Sequence, residues 1–298
     1  MSDSISYFGI DWLSKKDGPG KRVVLFLQGC PLDCAWCHSP HSQPQKSPLL
    51  YFESLCINCN RCMQVCPNSV HQFHNNLHTI DRTNCTQCGK CIEACPQSSS
   101  FKKGNALVLP TKTESIEEIY DQLEPQLELL SKDGGITFSG GEPLLQVDTL
   151  IKLAAKCKSN GFHTALETSG IVPLKSVQKI APYIDTWLFG MRLTTGTPTI
   201  SIETLYEKSL SAFQFLKTQK QSQVIVRIPS IYNHTDTPTY LKKLKQIIAD
   251  HPKHLIDVLP ANMEVNHYYT ASGKTSNICY TDQQARTAYQ SINECLNM

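Results

Sequence analysis

The chain has 298 residues, with 28 Lys+Arg against 26 Asp+Glu and a formal net charge of +2, which is not the basic excess by which nucleic-acid binders declare themselves. Hydrophobic residues make up 40% and charged ones 18%, enough apolar side chain for a core and too much for a disordered chain. The departure from ordinary composition is 14 cysteines, which belong either to disulfides in a secreted protein or to metal sites.

Taken in chain order, residues 1–9 have no basic head leading into an apolar stretch, so no signal peptide is expected. Nowhere do about 18 uncharged apolar residues run together, so no membrane span is expected. Both features predict a cytoplasmic, reducing setting in which clustered thiolates bind metal. Residues 22–28, Arg-Val-Val-Leu-Phe-Leu-Gln, follow the turn Asp17-Gly18-Pro19-Gly20 and predict a buried strand that ends directly on Gly29-Cys30. Residues 51–101 carry eight cysteines with little hydrophobic periodicity and read as an inserted module; 1–50 and 102–298 form the main domain. Residues 111–130 read as a helix that Pro125 kinks or divides. Residues 136–138 predict a strand, and Val147, Leu150, Ile151, Ala154 and Ala155 line one helix face. Further strands are expected at 163–166, 186–189, 224–228 and 255–259. Helices are expected over 205–216 and where Leu241, Leu244, Ile247 and Ile248 share a face. About six alternations of strand and helix mean right-handed βαβ units and a parallel sheet, either open and doubly wound or partly closed into a barrel. In both, ligands gather at the carboxyl ends of the strands.

Eleven of the cysteines fall between Cys30 and Cys95 in three groups. The second and third read Cys56-x2-Cys59-x2-Cys62-x3-Cys66-Pro67 and Cys85-x2-Cys88-x2-Cys91-x3-Cys95-Pro96. This is the bacterial ferredoxin spacing, in which three cysteines of one run and the last of the other hold each 4Fe-4S cube. One cluster then takes Cys56, Cys59, Cys62 and Cys95, and the other Cys85, Cys88, Cys91 and Cys66. Zinc also uses Cys-x2-Cys, but two complete runs, each with its proline, favour iron and sulfur. The first group, Cys30-x3-Cys34-x2-Cys37, offers three thiolates with no fourth cysteine nearby. Three ligands on a cubane leave one iron open, as a catalytic site does; His38 as a fourth ligand is the alternative, and would close the site. Cys157 reads as a core residue, while Cys279 and Cys295 are unassigned.

Cys-x3-Cys-x2-Cys after a first strand resembles the radical S-adenosylmethionine superfamily, in which the open iron chelates the amino and carboxylate groups of the cofactor. More narrowly, Tyr7-Phe8-Gly9, Asp17-Gly18-Pro19-Gly20-Lys21-Arg22, Phe26-Leu27-Gln28-Gly29-Cys30 and Trp36-Cys37-His38-Ser39-Pro40 resemble the signature of glycyl-radical-enzyme activating enzymes. One large branch of that family carries a two-cluster ferredoxin-like insert. The resemblance implies an α/β fold, a partial (β/α)6 barrel, with three [4Fe-4S] clusters. It implies reductive cleavage of S-adenosylmethionine to a 5′-deoxyadenosyl radical by the cluster at Cys30, Cys34 and Cys37, and removal of a hydrogen from a glycine of a partner glycyl radical enzyme. Gly140, Gly141 and Glu142, within Ser139-Gly140-Gly141-Glu142-Pro143, match the stretch that binds the methionine amino group. Glu167 and Thr168 match the stretch that helps hold a monovalent cation and the cofactor carboxylate. Trp36, Cys37 and His38 stand where the family meets the cofactor, Trp36 near the adenine; a buried core tryptophan is the alternative. Arg227 matches a fifth-strand arginine that reaches the cofactor, with a surface salt bridge as the alternative.

The chain also departs from the family. Where many members have Asp-Leu-Lys at the fourth strand, it has Gly190-Met191-Arg192: Arg192 keeps a positive charge in a different geometry, and Gly190 cannot replace a carboxylate ligand. Asn262 stands near where relatives have a tyrosine and a histidine; it hydrogen-bonds but does not titrate. Two other readings stay open: a radical enzyme of the same fold acting on a small molecule or peptide, and, prompted by Gly190 and Asn262, an electron-transfer or scaffold protein. Homolysis of a carbon–hydrogen bond needs a cofactor-derived radical and a low-potential electron, so the two ferredoxin-type clusters read as a wire from an external flavodoxin or ferredoxin, working under anaerobic conditions. Neither nucleic acid nor membrane is an expected partner.

Overall fold

A computed structural model describes residues 3–75, 77–97, 105–193, 201–262, 266–275, 278 and 280–297. The chain opens on β1 (Ser4–Ser14), which pairs antiparallel with β2 (Lys21–Leu27). An excursion follows: β3 (Leu50–Tyr51), α1 (Arg61–Val65), the hairpin β4 (His71–His74) and β5 (Leu77–Ile80), α2 (Lys90–Glu93) and β6 (Leu107–Val108). Antiparallel pairing of β6 with β3 closes the excursion at its root. The chain returns through β7 (Lys112–Ser115), α3 (Ile116–Leu130), β8 (Gly134–Gly140), α4 (Val147–Ser159) and β9 (His163–Thr168). It continues with α5 (Leu174–Ile180), β10 (Thr186–Gly190), α6 (Ile202–Lys217), β11 (Gln223–Ser230), α7 (Pro238–Ile248) and β12 (Ile256–Pro260). Helices α8 (Asn266–Ser272) and α9 (Asp282–Asn297) end it.

The main sheet runs β12-β11-β10-β9-β8-β2-β1-β7. From β12 to β2 every neighbouring pair is parallel, and these are the six strands that the apolar runs predict. The fold is therefore α/β with a parallel sheet. Two strands were not expected. β1 and β7 form an antiparallel edge, where burial is one-sided and the apolar signal correspondingly thin: in β1 only Ile5, Tyr7 and Ser14 are buried. β7 also shortens the helix expected over 111–130. Ser115 Oγ accepts from the Glu118 N–H at 3.2 Å and Glu118 Oε2 accepts from the Ser115 N–H at 2.9 Å, a capping box that starts α3 at Ile116. Pro125 does not divide α3. It lies on the exposed side, while Ile116, Ile119, Tyr120, Leu123, Leu127 and Leu130 are buried opposite. Burying such a side chain stabilises by about 1.5–3 kcal/mol, so the row outweighs a proline cost of about 3 kcal/mol.

The two faces of the parallel sheet differ in chemistry. Val23, Leu25, Leu27, Ile136, Phe138, Leu166, Trp187, Phe189, Val226 and Ile228 join the helices in one apolar core. The alternate positions carry Arg22, Thr137, Ser139, Glu167 and Arg227, which contact one another across strands. Arg22, fully buried, donates to Thr137 Oγ1 at 3.0 Å and meets His163 Nδ1 at 2.9 Å; burial lowers its guanidinium to about 10. The turn at Asp17 and Gly18 lies against this polar face, with Thr137 Oγ1 donating to the Asp17 carbonyl at 2.6 Å.

Candidate metal centre

The first cysteine group sits on the loop leaving β2. Gly29 has φ +97, a left-handed conformation that turns the chain out of the strand. Its N–H donates to the Ser42 carbonyl at 2.8 Å and the Cys30 N–H to the Gln43 carbonyl at 2.9 Å, so the loop folds back on its own root. The buried Gln28 side chain locks that root, donating to the carbonyls of His41 at 3.1 Å and Pro44 at 2.7 Å. Cys34 is buried and Cys30 and Cys37 half-buried. Burial pushes the thiols of Cys30 and Cys37 up, the latter to about 11. Thiols raised in this way, as at Cys30 and Cys37, ionise only beside compensating positive charge, and together with Cys34 they form the donor set a cationic metal centre requires. The C-terminal region pins the loop from outside: Tyr269 Oη on α8 donates to the Ala35 carbonyl at 2.9 Å and Lys274 Nζ to Gln43 Oε1 at 2.5 Å.

Gly140 and Gly141 are held to the same root. A Cβ on Gly141 would lie 2.1 Å from the Gly29 carbonyl oxygen, and one on Gly140, where φ is +114, would lie 2.4 Å from the Leu27 nitrogen. The approach is sealed by the N–H groups of Gly141 and Glu142, which donate to the carbonyls of Leu27 at 2.9 Å and Gly29 at 2.7 Å. The two glycines are thus demanded by backbone contact, Gly140 with the end of β2 and Gly141 with the cysteine loop. The Glu142 side chain, 2% exposed, accepts from Thr168 Oγ1 at 2.7 Å, from the Ser169 N–H at 3.0 Å and Oγ at 2.8 Å, and from the Leu144 N–H at 3.3 Å. It braces the end of β8 against the end of β9.

Glu167 accepts from Ser139 Oγ at 2.7 Å and pairs with Arg227 Nη1 at 3.3 Å. Burial alone would raise its carboxyl, but Arg227 and Arg192 outweigh burial and hold it below the usual range. Arg227 also lies 3.6 Å from Asp17 and donates to the Lys16 carbonyl at 2.5 Å; it is an internal tie, not a surface salt bridge. Arg192 acts electrostatically on both Cys37 and Glu167, which sets it between the triad and the polar sheet face. Trp36 is buried in a cluster with Leu32, Cys34, Ile171, Leu205 and Ile231, its ring 5.0 Å from that of His234. His38 and Asn262 are exposed, Asn262 beside Ala261, which packs on the Trp36 cluster. Among the described residues Trp36 Nε1, Arg192 Nη1 and Arg227 Nε are buried without a hydrogen-bond partner. Sequence reasoning missed Ser139, Tyr269 and Lys274 as members of this neighbourhood; Ser139 stood inside a quoted motif, and the other two carried no signal.

The excursion brings its eight cysteines to two cavities. One is lined by Cys66, Cys85, Cys88 and Cys91 together with His71. The other is lined by Cys56, Cys59, Cys62 and Cys95 together with His78. Each run therefore sends its last cysteine to the cavity of the other. The turns that wrap the thiols inward use left-handed backbone at matching positions, Asn58 and Asn60 in one run and Gln87 and Gly89 in the other. Cys62 and Cys91 are buried, which raises their thiols to about 12 and about 11. Cys62, His71 and His78 also bring their ligand atoms within 4.8 Å of one another. Cys157 is fully buried in the core and Cys295 is buried in α9, whereas Cys279 lies outside the described residues.

Residues 16–191 match the family model of a 4Fe-4S single cluster domain. The chain is 30% identical over 259 residues to choline trimethylamine-lyase activating enzyme of Oleidesulfovibrio alaskensis, covering 85% of this chain and 82% of that one. It is 35% identical over 254 residues to (2S)-3-sulfopropanediol dehydratase activating enzyme of Klebsiella oxytoca, covering 82% and 76%. It is 28% identical over 257 residues to trans-4-hydroxy-L-proline dehydratase activating enzyme of Clostridioides difficile, covering 85% and 83%.

Proposed function

Because the chain belongs to the glycyl-radical-enzyme activating enzymes of the radical S-adenosylmethionine superfamily, we propose that Cys30, Cys34 and Cys37 hold its catalytic [4Fe-4S] cluster and that the excursion holds two more. The protein is an iron–sulfur, S-adenosylmethionine-dependent activase, and its protein substrate is a glycyl radical enzyme. Bound cluster and cofactor supply the electron and the carbon-centred radical that takes a hydrogen from the partner's glycine; the chain binds, orients and shields.

The observation that carries the assignment is the set of unspent buried donors beside the thiol triad. Arg192 Nη1, Arg227 Nε and Trp36 Nε1 lack protein partners among the described residues, and a buried donor left so costs about 1–3 kcal/mol. A ligand bearing a carboxylate, a ribose and an adenine offers the missing acceptors. In this reading Arg192 takes the carboxylate, and Trp36, Cys37 and His38 flank the adenine, with Asn262 at the rim. Gly140, Gly141 and Glu142 present backbone to the amino group, since the Glu142 carboxylate is occupied with Thr168 and Ser169. A monovalent cation shares the Glu167 carboxylate with Arg227, beside Thr168. The polar sheet face, crossed by Arg22 and Arg227 and covered by the turn at Asp17, supports a sheet curled into a partial barrel over 1–50 and 102–298. The paired root of β3 and β6 supports 51–101 as a ferredoxin-like insert. Exposed Cys59 and Cys88 put both cavities near the surface, where a flavodoxin or ferredoxin delivers electrons. No helix among the described residues is long and apolar enough to cross a membrane; we place the protein in an anaerobic cytoplasm.

Iron counting and turnover test the reading together. Reconstituted protein should hold about twelve iron atoms per chain for three cubanes. After dithionite reduction with S-adenosylmethionine it should form 5′-deoxyadenosine, and with its partner enzyme it should give a glycyl-radical doublet in electron paramagnetic resonance. About four irons would remove the two-cluster insert, no 5′-deoxyadenosine would favour a scaffold, and 5′-deoxyadenosine without a doublet on any partner would favour a small-molecule substrate.

A further inference from the structure

The hairpin of β4 and β5 carries a pair of imidazoles that none of the chemistry above uses. His71 and His78 are 2% and 4% exposed. His71 Nδ1 lies 3.0 Å from His78 Nε2. The pair spans the two cavities of the excursion, His71 lining the one with Cys66, Cys85, Cys88 and Cys91, and His78 the one with Cys56, Cys59, Cys62 and Cys95. The His78 ring is clamped, stacked on Phe73 with centroids 4.3 Å apart and meeting Tyr51 edge-on at 4.5 Å. In that clamp its Nδ1 is 3.7 Å from Cys56 Sγ and its Nε2 3.8 Å from Cys62 Sγ.

We infer that His78 is a positioning residue that donates its Nδ1–H to the Cys56 thiolate and so raises the reduction potential of the cluster at Cys56, Cys59, Cys62 and Cys95 above that of its neighbour. The inference rests on reading the excursion as two clusters. A metal-bound thiolate only accepts hydrogen bonds, and both His78 nitrogens face one, but the neutral ring has a single proton; Nε2 has His71 Nδ1 at 3.0 Å as a nearer partner than Cys62 Sγ at 3.8 Å, so the proton sits on Nδ1, facing Cys56. The Nε2 of His78 is then bare and accepts from His71 Nδ1–H, which fixes the tautomer, the pattern by which outer groups orient those next to a metal. Nothing calls for a proton on the remaining nitrogen, His71 Nε2, which is buried without a partner among the described residues. One cluster thus receives a histidine N–H and the other does not. A hydrogen bond to cluster sulfur stabilises the more negative, reduced state, which raises the potential. The two runs have the same spacing, and the imidazole pair makes their clusters unequal.

Potentiometric titration of the fully loaded protein, followed by electron paramagnetic resonance, reads this directly. With about twelve irons retained, His78→Leu should lower the reduction equilibrium constant of one relay cluster about tenfold, which is about 59 mV for a one-electron couple, and leave the other in place. His71→Leu should lower the same cluster by less. Electron spin-echo modulation of reduced wild-type protein labelled with ¹⁵N-histidine should show histidine coupling at one relay cluster, and this needs no variant to fold. Twelve irons without histidine coupling, or with equal shifts of both relay clusters, would overturn the inference. One zinc per chain lost with Cys62, His71 or His78, in a protein of fewer than twelve irons, would instead overturn the two-cluster reading beneath it.

Discussion

Replacing Gly141 by alanine puts the smallest side chain where the end of β8 touches the cysteine loop. The added carbon would lie 2.1 Å from the Gly29 carbonyl oxygen, 1.3 Å short of the 3.4 Å at which ordinary contact begins. Both partners are backbone, so no rotamer relieves the clash, and the two segments must separate by about that distance. Opening the 2.7 Å bond from the Glu142 N–H to the Gly29 carbonyl and the 2.9 Å bond from Gly141 to Leu27 by more than 1 Å takes both beyond hydrogen-bond range. Two lost hydrogen bonds at about 1 kcal/mol each and roughly 1–3 kcal/mol of overpacking give about 3–5 kcal/mol. Domain stability is about 5–15 kcal/mol, so the chain stays folded while the loop moves. Cys30 follows Gly29 directly, and a displacement of about 1 Å at a reacting centre costs on the order of 10²-fold in rate. Formation of 5′-deoxyadenosine by the reduced protein should fall by about that factor in Gly141→Ala. Gly9→Ala is the control, since its backbone is outside the left-handed region and the nearest atom to its added carbon, Phe26 Cδ2, lies at an ordinary 3.8 Å. Wild-type 5′-deoxyadenosine formation and melting temperature in Gly141→Ala would refute the contact as the reason for glycine.

Glu142→Gln turns one acceptor oxygen into a donor facing Thr168 Oγ1 and Ser169; it should cost about 2–4 kcal/mol in denaturant titration, and an unchanged midpoint would show that Glu142 is not a brace. Arg227 and Arg192 hold the folded Glu167 carboxyl below its unfolded value, so this contribution to stability is full above about pH 4.3 and is lost as pH falls through the folded value. Arg227→Gln should therefore flatten the acid limb of the stability profile, and an identical limb would contradict the pairing. Arg82 Nη2 donates to the Ala271 carbonyl at 2.7 Å and its Nε to the Leu49 carbonyl at 2.8 Å, so Arg82→Ala should speed amide exchange in α8, a loosening that unchanged exchange there would exclude. Cys157→Ala, in the core and away from every cavity described, should leave iron content unchanged at a cost of about 1 kcal/mol; a loss of iron would make Cys157 a ligand.

Much of the architecture was readable from the residues because the parallel strands are buried on both sides. Runs such as 22–28 and 224–228 declare themselves by continuous apolar content, and β2 (Lys21–Leu27) and β11 (Gln223–Ser230) fall on them. The antiparallel strands β1 and β7 at the margin of the sheet were not readable, since a strand buried on one side offers half the signal. Ser115 and Glu118 spelled a capping box inside the segment read as helix, and that box sets where α3 begins. Pro125 misled in the other direction, because its exposed position lets the buried row opposite decide.

Family and chemistry were legible in the cysteine spacing, since ligand sets on one loop depend on short separations that survive folding unchanged. The same spacing predicted that Cys66 and Cys95 exchange runs, and the two cavities gather the thiols in that arrangement. Local sequence could not reveal that Gly140 presses on the end of β2 and Gly141 on the Gly29 loop, that Glu142 ties β8 to β9, or that His71 and His78 meet between the cavities. Each of these is a contact between segments distant along the chain or set by strand register, and register is decided only when the sheet assembles. The sequence by itself determined the cysteine spacing within each group, and with it the family. The tertiary structure decided which buried groups are spent on one another and which, such as Arg192 Nη1 and Trp36 Nε1, are left without a protein partner among the described residues, because hydrogen-bond satisfaction is a property of the packed interior and of no single segment.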